Sequence, residues 1–364
     1  MHIDTLVFRK LVGRAFVAAL FIIAAFLTAY VIHGGVLLDF EIYYEAGRAL
    51  LSGATPYQFY GKFELPFQYF PWVGWMFMPL ALLPMRPAWI FFAALNLGLL
   101  GYSIYLLAKT LDEEHQVGGV LKFVHLFSNF LILSLLVFEV GQISIFILFA
   151  CTLTVRLLLK GKPEWAALLA PFLLIKPHLM LLFFPYLLWN GRKRYAGFAL
   201  LTIGAFVAVS LFLNPHWPQE MYTIIRLGQD RGDKLLWGFS TLAGALELRN
   251  WRVLNFYFAV PSFIISLSAL TRMGKLPEFH RLAFALALSV FAAPYSFAYD
   301  FPLLIPALLI FAQKGGIYRP IFFSLAVIIP LFSQYQGQTY LSIAGVAGLI
   351  LVETYSARNR QASS

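Results

Sequence analysis

Residues 162–194 read KPEWAALLAPFLLIKPHLMLLFFPYLLWNGRKR, an apolar stretch with basic residues at both ends and a lysine in its middle. Basic residues mark the cytoplasmic ends of membrane spans, so both ends of this stretch are expected on one side of a membrane. The chain must then enter the bilayer and return, turning at Lys176-Pro177. Each arm has about 12 residues, roughly 18 Å of helix, against a hydrocarbon core of about 30 Å. Lys176 is therefore expected below the outer surface of the bilayer.

A second short segment, 301–313, places an acidic residue at a similar depth. From Lys314 back to Asp300 the chain has roughly 21 Å of helix, again less than the hydrocarbon thickness. Ionisable groups at membrane depth are tolerated beside each other, beside a ligand charge or in a water-filled cavity. We therefore expect Lys176 and Asp300 to line a cavity that opens outward and extends into the bilayer.

The composition is that of a polytopic membrane protein. Of 364 residues, 60% are hydrophobic and only 12% are charged, whereas soluble domains have about 45–50% apolar and about 25% charged residues. The net charge of +10 would suggest nucleic acid in a soluble chain, but basic cytoplasmic loops account for most of it here, so no nucleic acid partner is expected. The single cysteine, Cys151, excludes an internal disulfide and a cysteine metal cluster.

The predicted fold class is all-α, a polytopic membrane protein with about 12 transmembrane helices (11–13) in one integral domain, 1–364. The first apolar segment follows basic residues and is too long for a signal-peptide core, which indicates a signal anchor. The predicted spans are near 15–34, 87–108, 121–138, 142–159, 164–175, 177–190, 195–213, 253–271, 282–299, 301–313, 317–332 and 339–356.

An even number of spans places both termini on the same side, and the basic loops make that side cytoplasmic. Outer loops then fall at about 35–70 and 214–252. The stretch 70–84 must lie in the outer interface, because a crossing there would move the C-terminus outside.

The first outer loop contains an amphipathic segment. Apolar residues at 40, 43, 44, 47, 50 and 51 share one helical face, with Glu41, Glu45 and Arg48 on the other, which is typical of a helix lying in the interface. Gly53 ends it. Asp39 is either the N-cap of this helix or a general base at the mouth of the cavity, and one residue can do both.

An ordered set of motifs runs along the chain. A D-x3-Y-x2-A-x3-L-x2-G-x2-P-Y string extends from Asp39 to Tyr57. It is followed by Phe67-Gln68-Tyr69-Phe70-Pro71, Pro79-Leu80, Gly141-Gln142, Lys176-Pro177, Pro294-Tyr295 and Tyr299-Asp300. Over roughly residues 35–315 the chain resembles glycosyltransferase family 87, polytopic GT-C enzymes that include polyprenyl-phosphate-mannose-dependent α-mannosyltransferases.

The resemblance implies a polyprenyl-phosphate sugar donor, a lipid or glycan acceptor, a periplasmic active site in the cell (inner) membrane and inversion at the anomeric carbon. It also implies a catalytic aspartate in the first outer loop, which corresponds to Asp39. The sequence departs from the family at two places. It has Gly238-Phe239-Ser240-Thr241-Leu242 where many relatives carry an asparagine before Ser-Leu, and Tyr299-Asp300 where many carry a histidine. Both departures concern the acceptor side.

Roles for the other candidates follow from their chemistry. Inverting transfer needs a carboxylate to accept the acceptor's proton, from Asp39 or Glu41. The leaving phosphate needs charge stabilisation rather than a proton. The candidates for phosphate binding are Lys176, His178, Arg226 and Arg231. The candidates for sugar or acceptor binding are Glu41, Tyr43, Tyr69, Gln142, Tyr299 and Asp300.

Each candidate has a structural alternative. Lys176 pairs with Asp300 or reaches toward water. His178 is a satisfied interior histidine, and Gln142 is a helix cap. Arg226 and Arg231 belong to a solvated mixed-charge loop.

No cofactor is expected. The sequence has no phosphate-binding G-x4-G-K-[ST] loop, no G-x-S-x-G elbow and no histidine pair with zinc-ligand spacing. A divalent metal between Asp39 and Asp300 stays open, although nothing in the spacing asks for one. The alternative function is a transporter or flippase of a lipid-linked sugar, but the inverted repeats common in transporters are not visible here. A structural membrane subunit would explain neither Lys176 nor Asp300.

Overall fold

A computed structural model of the chain describes residues 38–61, 64–115, 130, 134–189, 192–231, 251–314 and 340–362. These residues are mostly helical, which confirms the helical class. The helices are α1 (Leu38–Leu51), α2 (Pro71–Ala81), α3 (Met85–His115), α4 (Leu135–Val140), α5 (Ser144–Leu159), α6 (Pro163–Ala167), α7 (Ala170–Leu173), α8 (Phe183–Trp189), α9 (Lys193–Leu213), α10 (Trp217–Arg231), α11 (Trp251–Arg272), α12 (Glu278–Ala292), α13 (Ile305–Lys314) and α14 (Tyr340–Ala362). Three 3₁₀ helices cover Pro177–Met180, Met273–Lys275 and Ala298–Leu304.

Two of the described helices are long and apolar enough to cross a membrane, Met85–Leu111 within α3 and the whole of α9. Helix α9 exposes large apolar side chains, with Phe212 at 87%, as expected of a surface that faces lipid. The number of about twelve spans stays a prediction. Of the expected spans, 15–34 and 317–332 lie outside the described residues, as does most of 121–138.

The outer segment folds as the amphipathic pattern predicted. Helix α1 buries Phe40, Tyr43 and Tyr44. It begins at Leu38, so Asp39 lies in its first turn and is not its N-cap. A carboxylate in the first turn is favoured by the helix dipole.

Helix α2 packs tightly against α1. A Cβ at Gly47 would lie 2.8 Å from the carbonyl carbon of Phe77, so only glycine allows this approach. The 11 residues of α2 span about 17 Å, too short to cross a bilayer. Its length and packing fit the interfacial placement expected for 70–84. A two-stranded antiparallel ribbon, β1 (Phe59–Tyr60) and β2 (Leu65–Pro66), links the two helices.

The two ends of the segment 162–194 meet in the structure, as expected if both lie on one side of a membrane. Glu164 near its start and Arg194 near its end form an ion pair of 2.6 Å. Between them the two expected helices are broken into α6, α7, a 3₁₀ turn and α8. Pro163, Pro171 and Pro177 lie in the first turns of the first three pieces, because proline starts helices but cannot continue them.

The expected span 282–299 is too long by seven residues at its C-terminal end. Helix α12 ends at Ala292, and Ala293 is extended with φ −63° and ψ 140°. The ring of Pro294 excludes helical geometry from the residue before it, which explains this end. The expected helix 301–313 begins instead as the 3₁₀ helix Ala298–Leu304 and becomes α-helical at Ile305.

Candidate active site

Four segments that are distant in sequence bring polar side chains to one place. They are the first turn of α1, the turn between α4 and α5, the turn that contains Lys176, and the 3₁₀ helix 298–304. Lys176 is 4% exposed and Asp300 is 0% exposed. The structure thus shows the first of the three environments that the depth argument left open: the two buried charges lie side by side.

Lys176, Asp300 and Ser144 form a closed triangle of hydrogen bonds. Lys176 Nζ donates to Asp300 Oδ1 at 2.6 Å and to Ser144 Oγ at 3.1 Å. Ser144 Oγ donates to the same Asp300 oxygen at 2.8 Å. Asp300 Oδ2 accepts the backbone N–H of Phe297 at 3.1 Å. Both carboxylate oxygens are therefore engaged, so a metal ion bridging Asp39 and Asp300 would have to displace existing partners.

Asp39 lies in front of this triangle and keeps part of its surface exposed. Burial raises the pKa of Asp39 to about 6, and the nearby charge of Lys176 and a hydrogen bond with Gln142 oppose that rise. The more distant Asp300 carboxylate adds to it. A carboxylate whose pKa lies close to neutral is suited to accept a proton and release it again.

Gln142 connects Asp39 to two tyrosines. Its Oε1 accepts the hydroxyl of Tyr43 at 3.0 Å and the backbone N–H of Ile143 at 3.2 Å, and the latter is a contact with the N-cap residue of α5. The Tyr43 hydroxyl also lies 2.9 Å from that of Tyr69. Gln142 precedes the N-cap residue of α5 and is not itself the helix cap considered from the sequence, and its side chain belongs to the site.

The residue before Gln142 is Gly141, and the backbone at this position favours glycine. Its φ is +72°, in the left-handed region that favours glycine. A Cβ on Gly141 would lie 2.4 Å from the Cβ of Phe40, the residue after Asp39. Glycine therefore allows the Gly141-Gln142 turn to contact the start of α1.

Aromatic rings line one side of the cluster. Lys176 Nζ lies 4.5 Å from the centre of the Tyr299 ring, a cation–π contact. Tyr299 stacks on Phe297 with ring centres 4.9 Å apart. His178 stacks on Tyr295 at 4.2 Å, which fits the interior histidine considered from the sequence.

Three of the predicted site residues are not brought into the cluster by any contact found in the described residues. Glu41 lies against Gly61, on the side of α1 away from Asp39. Arg226 is exposed on α10. The side chain of Arg231 lies outside the described part of the chain. Sequence reasoning missed Ser144, because a serine at the start of an apolar helix carries no distinctive signal.

Comparison with protein families supports the resemblance. The model of glycosyltransferase family 87 matches residues 67–295, more than half of the chain. The matched range includes Tyr69, Gln142 and Lys176, whereas Asp39 and Asp300 lie outside it and join these residues in space. Comparison with curated proteins and with solved structures gives no significant match. From the family match, the chain belongs to glycosyltransferase family 87 and is a membrane glycosyltransferase.

Proposed function

We propose that the enzyme transfers a hexose, mannose by the family resemblance, from a polyprenyl-phosphate donor to a lipid or glycan acceptor, with inversion. The observation that carries this proposal is the position of Asp39. Residue Asp39 is only partly buried, whereas Lys176 and Asp300, whose charges act on its carboxyl group, are buried. A base must be reachable by the acceptor and also shielded enough to hold a pKa close to neutral.

Asp39 is the general base of this reaction. It accepts the proton of the acceptor hydroxyl as that oxygen bonds to the anomeric carbon. The bond between the anomeric carbon and the phosphate oxygen breaks at the same time, and polyprenyl phosphate leaves as an anion. Glu41, which points toward Gly61, is the less favoured candidate for this step.

Lys176 stabilises the leaving phosphate. A phosphate forms its strongest hydrogen bonds with a cationic donor, and Lys176 is near enough to Asp39 for its charge to act on that carboxyl group. Pairing with Asp300 lowers the cost of holding this cation in the protein interior before the donor arrives. His178 lies beside the same turn, and Arg226 and Arg231 on α10 are candidates for a second contact with the phosphate.

The hydroxyl and amide groups around Asp39 bind the sugar and the acceptor. Tyr43, Tyr69 and Gln142 already share hydrogen bonds, so they present fixed donors and acceptors. The Tyr299 ring offers a stacking surface for a sugar. Both carboxylate oxygens of Asp300 already accept hydrogen bonds, so Asp300 affects sugar and acceptor binding only indirectly.

The active site faces the periplasm, and both termini are cytoplasmic. Labelling of single cysteines introduced into a variant without Cys151 tests this topology. Positions 60 and 230 are expected to react from outside, and position 193 only from inside. Outside labelling at 193 would overturn the re-entrant orientation of 162–194.

The most direct test of donor and acceptor uses the purified protein in detergent, with radiolabelled polyprenyl-phosphate-mannose and a crude lipid extract. A new labelled lipid is expected with the wild type and not with Asp39→Asn. A labelled product from a different polyprenyl-phosphate hexose, and none from the mannose donor, would correct the sugar. The family match indicates a transferase, and no observation favours the alternative of a flippase.

A further inference from the structure

The Ser144–Lys176–Asp300 triangle has a feature that donor binding alone does not explain. The hydrogen bonds that the Asp300 carboxylate accepts in the described structure come from Ser144, Lys176 and the backbone N–H of Phe297, all within the protein. Lys176 Nζ donates to both other members of the triangle and lies 4.5 Å from the centre of the Tyr299 ring. Groups held this firmly have fixed positions relative to Asp39.

We propose that this triangle is a positioning device for the general base: the hydrogen bonds from Ser144 and Lys176 to Asp300 fix the Lys176 ammonium group in the site, and the fixed pair of charges keeps the Asp39 carboxylate ready to accept a proton. The proposal rests on the proposed role of Asp39 and adds a function for Asp300 and Ser144. Both are positioning residues, since neither is placed to touch the reacting atoms.

The two charges of the pair act on Asp39 in opposite directions. The Lys176 cation favours the ionised carboxylate and lowers the pKa of Asp39, while the Asp300 anion raises it, and Lys176 has the larger effect. Without the pair, burial alone would raise this pKa further. Without Asp300 but with Lys176, the pKa would fall. The pKa of Asp39 therefore stays near 6 only while both Lys176 and Asp300 are present.

Other ionisable groups surround Asp39 and stay unchanged in the test. The phenol groups of Tyr43, Tyr69 and Tyr299 face it from α1, from the loop before α2 and from the 3₁₀ helix 298–304. His178 lies near Lys176 and Asp300. The remaining charged residues on α1 and on the helices that pack against it are Glu41, Glu45, Arg48, Arg86, Lys109, Asp112, Glu113, Glu114 and Glu139. Of these, only Glu113 is changed, and only in the control.

The test measures the proton affinity of Asp39 through stability, without using activity. Thermal stability is recorded from pH 4 to 9 for a protein and for the same protein with Asp39→Asn. The difference between the two curves changes where Asp39 titrates in the folded state. In the wild-type background this midpoint is expected near pH 6, as the pKa of Asp39 indicates.

Two altered backgrounds are predicted to move the midpoint in opposite directions. Asp300→Asn removes the anion and is expected to lower the midpoint by about one pH unit. The double change Lys176→Met with Asp300→Asn removes both charges and is expected to raise it above the wild-type value. The double variant leaves no buried charge unpaired, so it carries the test even if Asp300→Asn alone does not fold.

A matched control removes a different ion pair, whose cation is on the helix that carries Ser144. Arg156→Met with Glu113→Gln deletes the pair near the far end of α5, about 18 Å along the helix axis from Ser144, and should leave the midpoint unchanged. Midpoints that stay near pH 6 in both altered backgrounds, or a downward shift in the double variant, would overturn the proposal. Loss of sugar transfer in Asp39→Asn with unmoved midpoints would reject this device and keep Asp39 as the base. Moved midpoints with full activity of Asp39→Asn would reject the base itself.

Discussion

Two ion pairs lie near the two ends of helix α5, and they differ in how far they are exposed to solvent. At its N-terminal end, Ser144 joins Lys176 and Asp300, whose side chains are 5% and 1% exposed. Toward its C-terminal end, Arg156 is 7% exposed, but its partner Glu113 is 53% exposed. Arg156 contacts both Glu113 oxygens and the hydroxyl of Thr110.

This difference separates an anchoring pair from a functional one. An exposed carboxylate loses little hydration, so the Arg156–Glu113 pair can hold α3 and α5 together at modest cost. A sealed pair loses the hydration of both charges and is weak evidence for a gain in stability. The charges of the sealed pair also act on the carboxyl group of Asp39, which is the role that we propose for it.

The largest effect is expected from Asp39→Asn, which keeps the size of the side chain but cannot accept a proton at neutral pH. Loss of a general base costs about 10²–10⁴-fold in rate. Transfer of radiolabelled sugar by purified protein measures the loss, and yield with a normal melting temperature shows that the fold is intact. Near-normal transfer would move the role to Glu41 or remove it from α1.

The next effect compares the two ion pairs directly. Lys176→Met leaves Asp300 buried without its cation and should destabilise the protein by about 3–5 kcal/mol, and adding Asp300→Asn should recover most of it. Arg156→Met, at the exposed pair, leaves Glu113 without its cation, but the Glu113 side chain is 53% exposed, so this change should cost much less. Denaturant unfolding of the wild type and the three variants, with and without polyprenyl phosphate, measures both the cost of each change and the effect of the lipid. The lipid should stabilise the wild type and not Lys176→Met, because mass action requires binding.

Equal stabilisation of both proteins by the lipid would place the donor phosphate elsewhere and leave Lys176 with the role in positioning Asp39. Similar costs for Lys176→Met and Arg156→Met would show that the two pairs do not differ in the way that their exposure indicates.

A smaller effect is expected from Gly141→Ala. The left-handed φ of +72° and the short approach to Phe40 together predict a cost of about 1–3 kcal/mol. Gly197→Ala on α9 is the matched control, since a Cβ there meets nothing within 4 Å. Melting temperatures and transfer rates of the two variants give the comparison. If Gly141→Ala keeps full activity and stability, the contact between this turn and α1 does not position Gln142.

The smallest effect concerns pH and stability. Burial raises the pKa of Asp39 from 3.8 to about 6, so the group favours the folded state most below the unfolded value and loses that contribution as pH rises through 6. Asp39→Asn should therefore be more stable than the wild type at pH 8, by about 1–2 kcal/mol after allowance for partial exposure. At pH 4 the two should be nearly equal. Greater relative stability of the variant at pH 4 than at pH 8 would contradict the sign of this shift.

Charge and length alone predicted much of the site. The distance from basic ends to Lys176 and from Lys314 to Asp300 placed both charges at one depth, and the structure pairs them. The amphipathic pattern predicted α1 and the orientation of Tyr43. The side of α1 that holds Glu41 also follows from helical periodicity, because residues two apart do not share a face.

Other parts could not be obtained from the pattern. Ser144 and the Phe297 N–H enter the site through tertiary contacts that no local signal encodes. The helix breaks within 163–189 occur at prolines, and their effect on the backbone is not visible when hydropathy is averaged over a window. The extended stretch after Ala292, which brings Tyr295 and Phe297 to the site, also depends on one proline.

The ion pair between Glu164 and Arg194 has a consequence for biosynthesis. The pieces between these residues have 5, 4, 4 and 7 residues, too few for any of them to enter a bilayer by its own apolarity. The segment can enter only when a neighbouring surface covers it, and α9, which follows it in the chain and carries Arg194, packs against both of its arms. A nascent chain that stops before α9 should therefore leave Lys176 in water, and synthesis of α9 should draw the turn into the membrane.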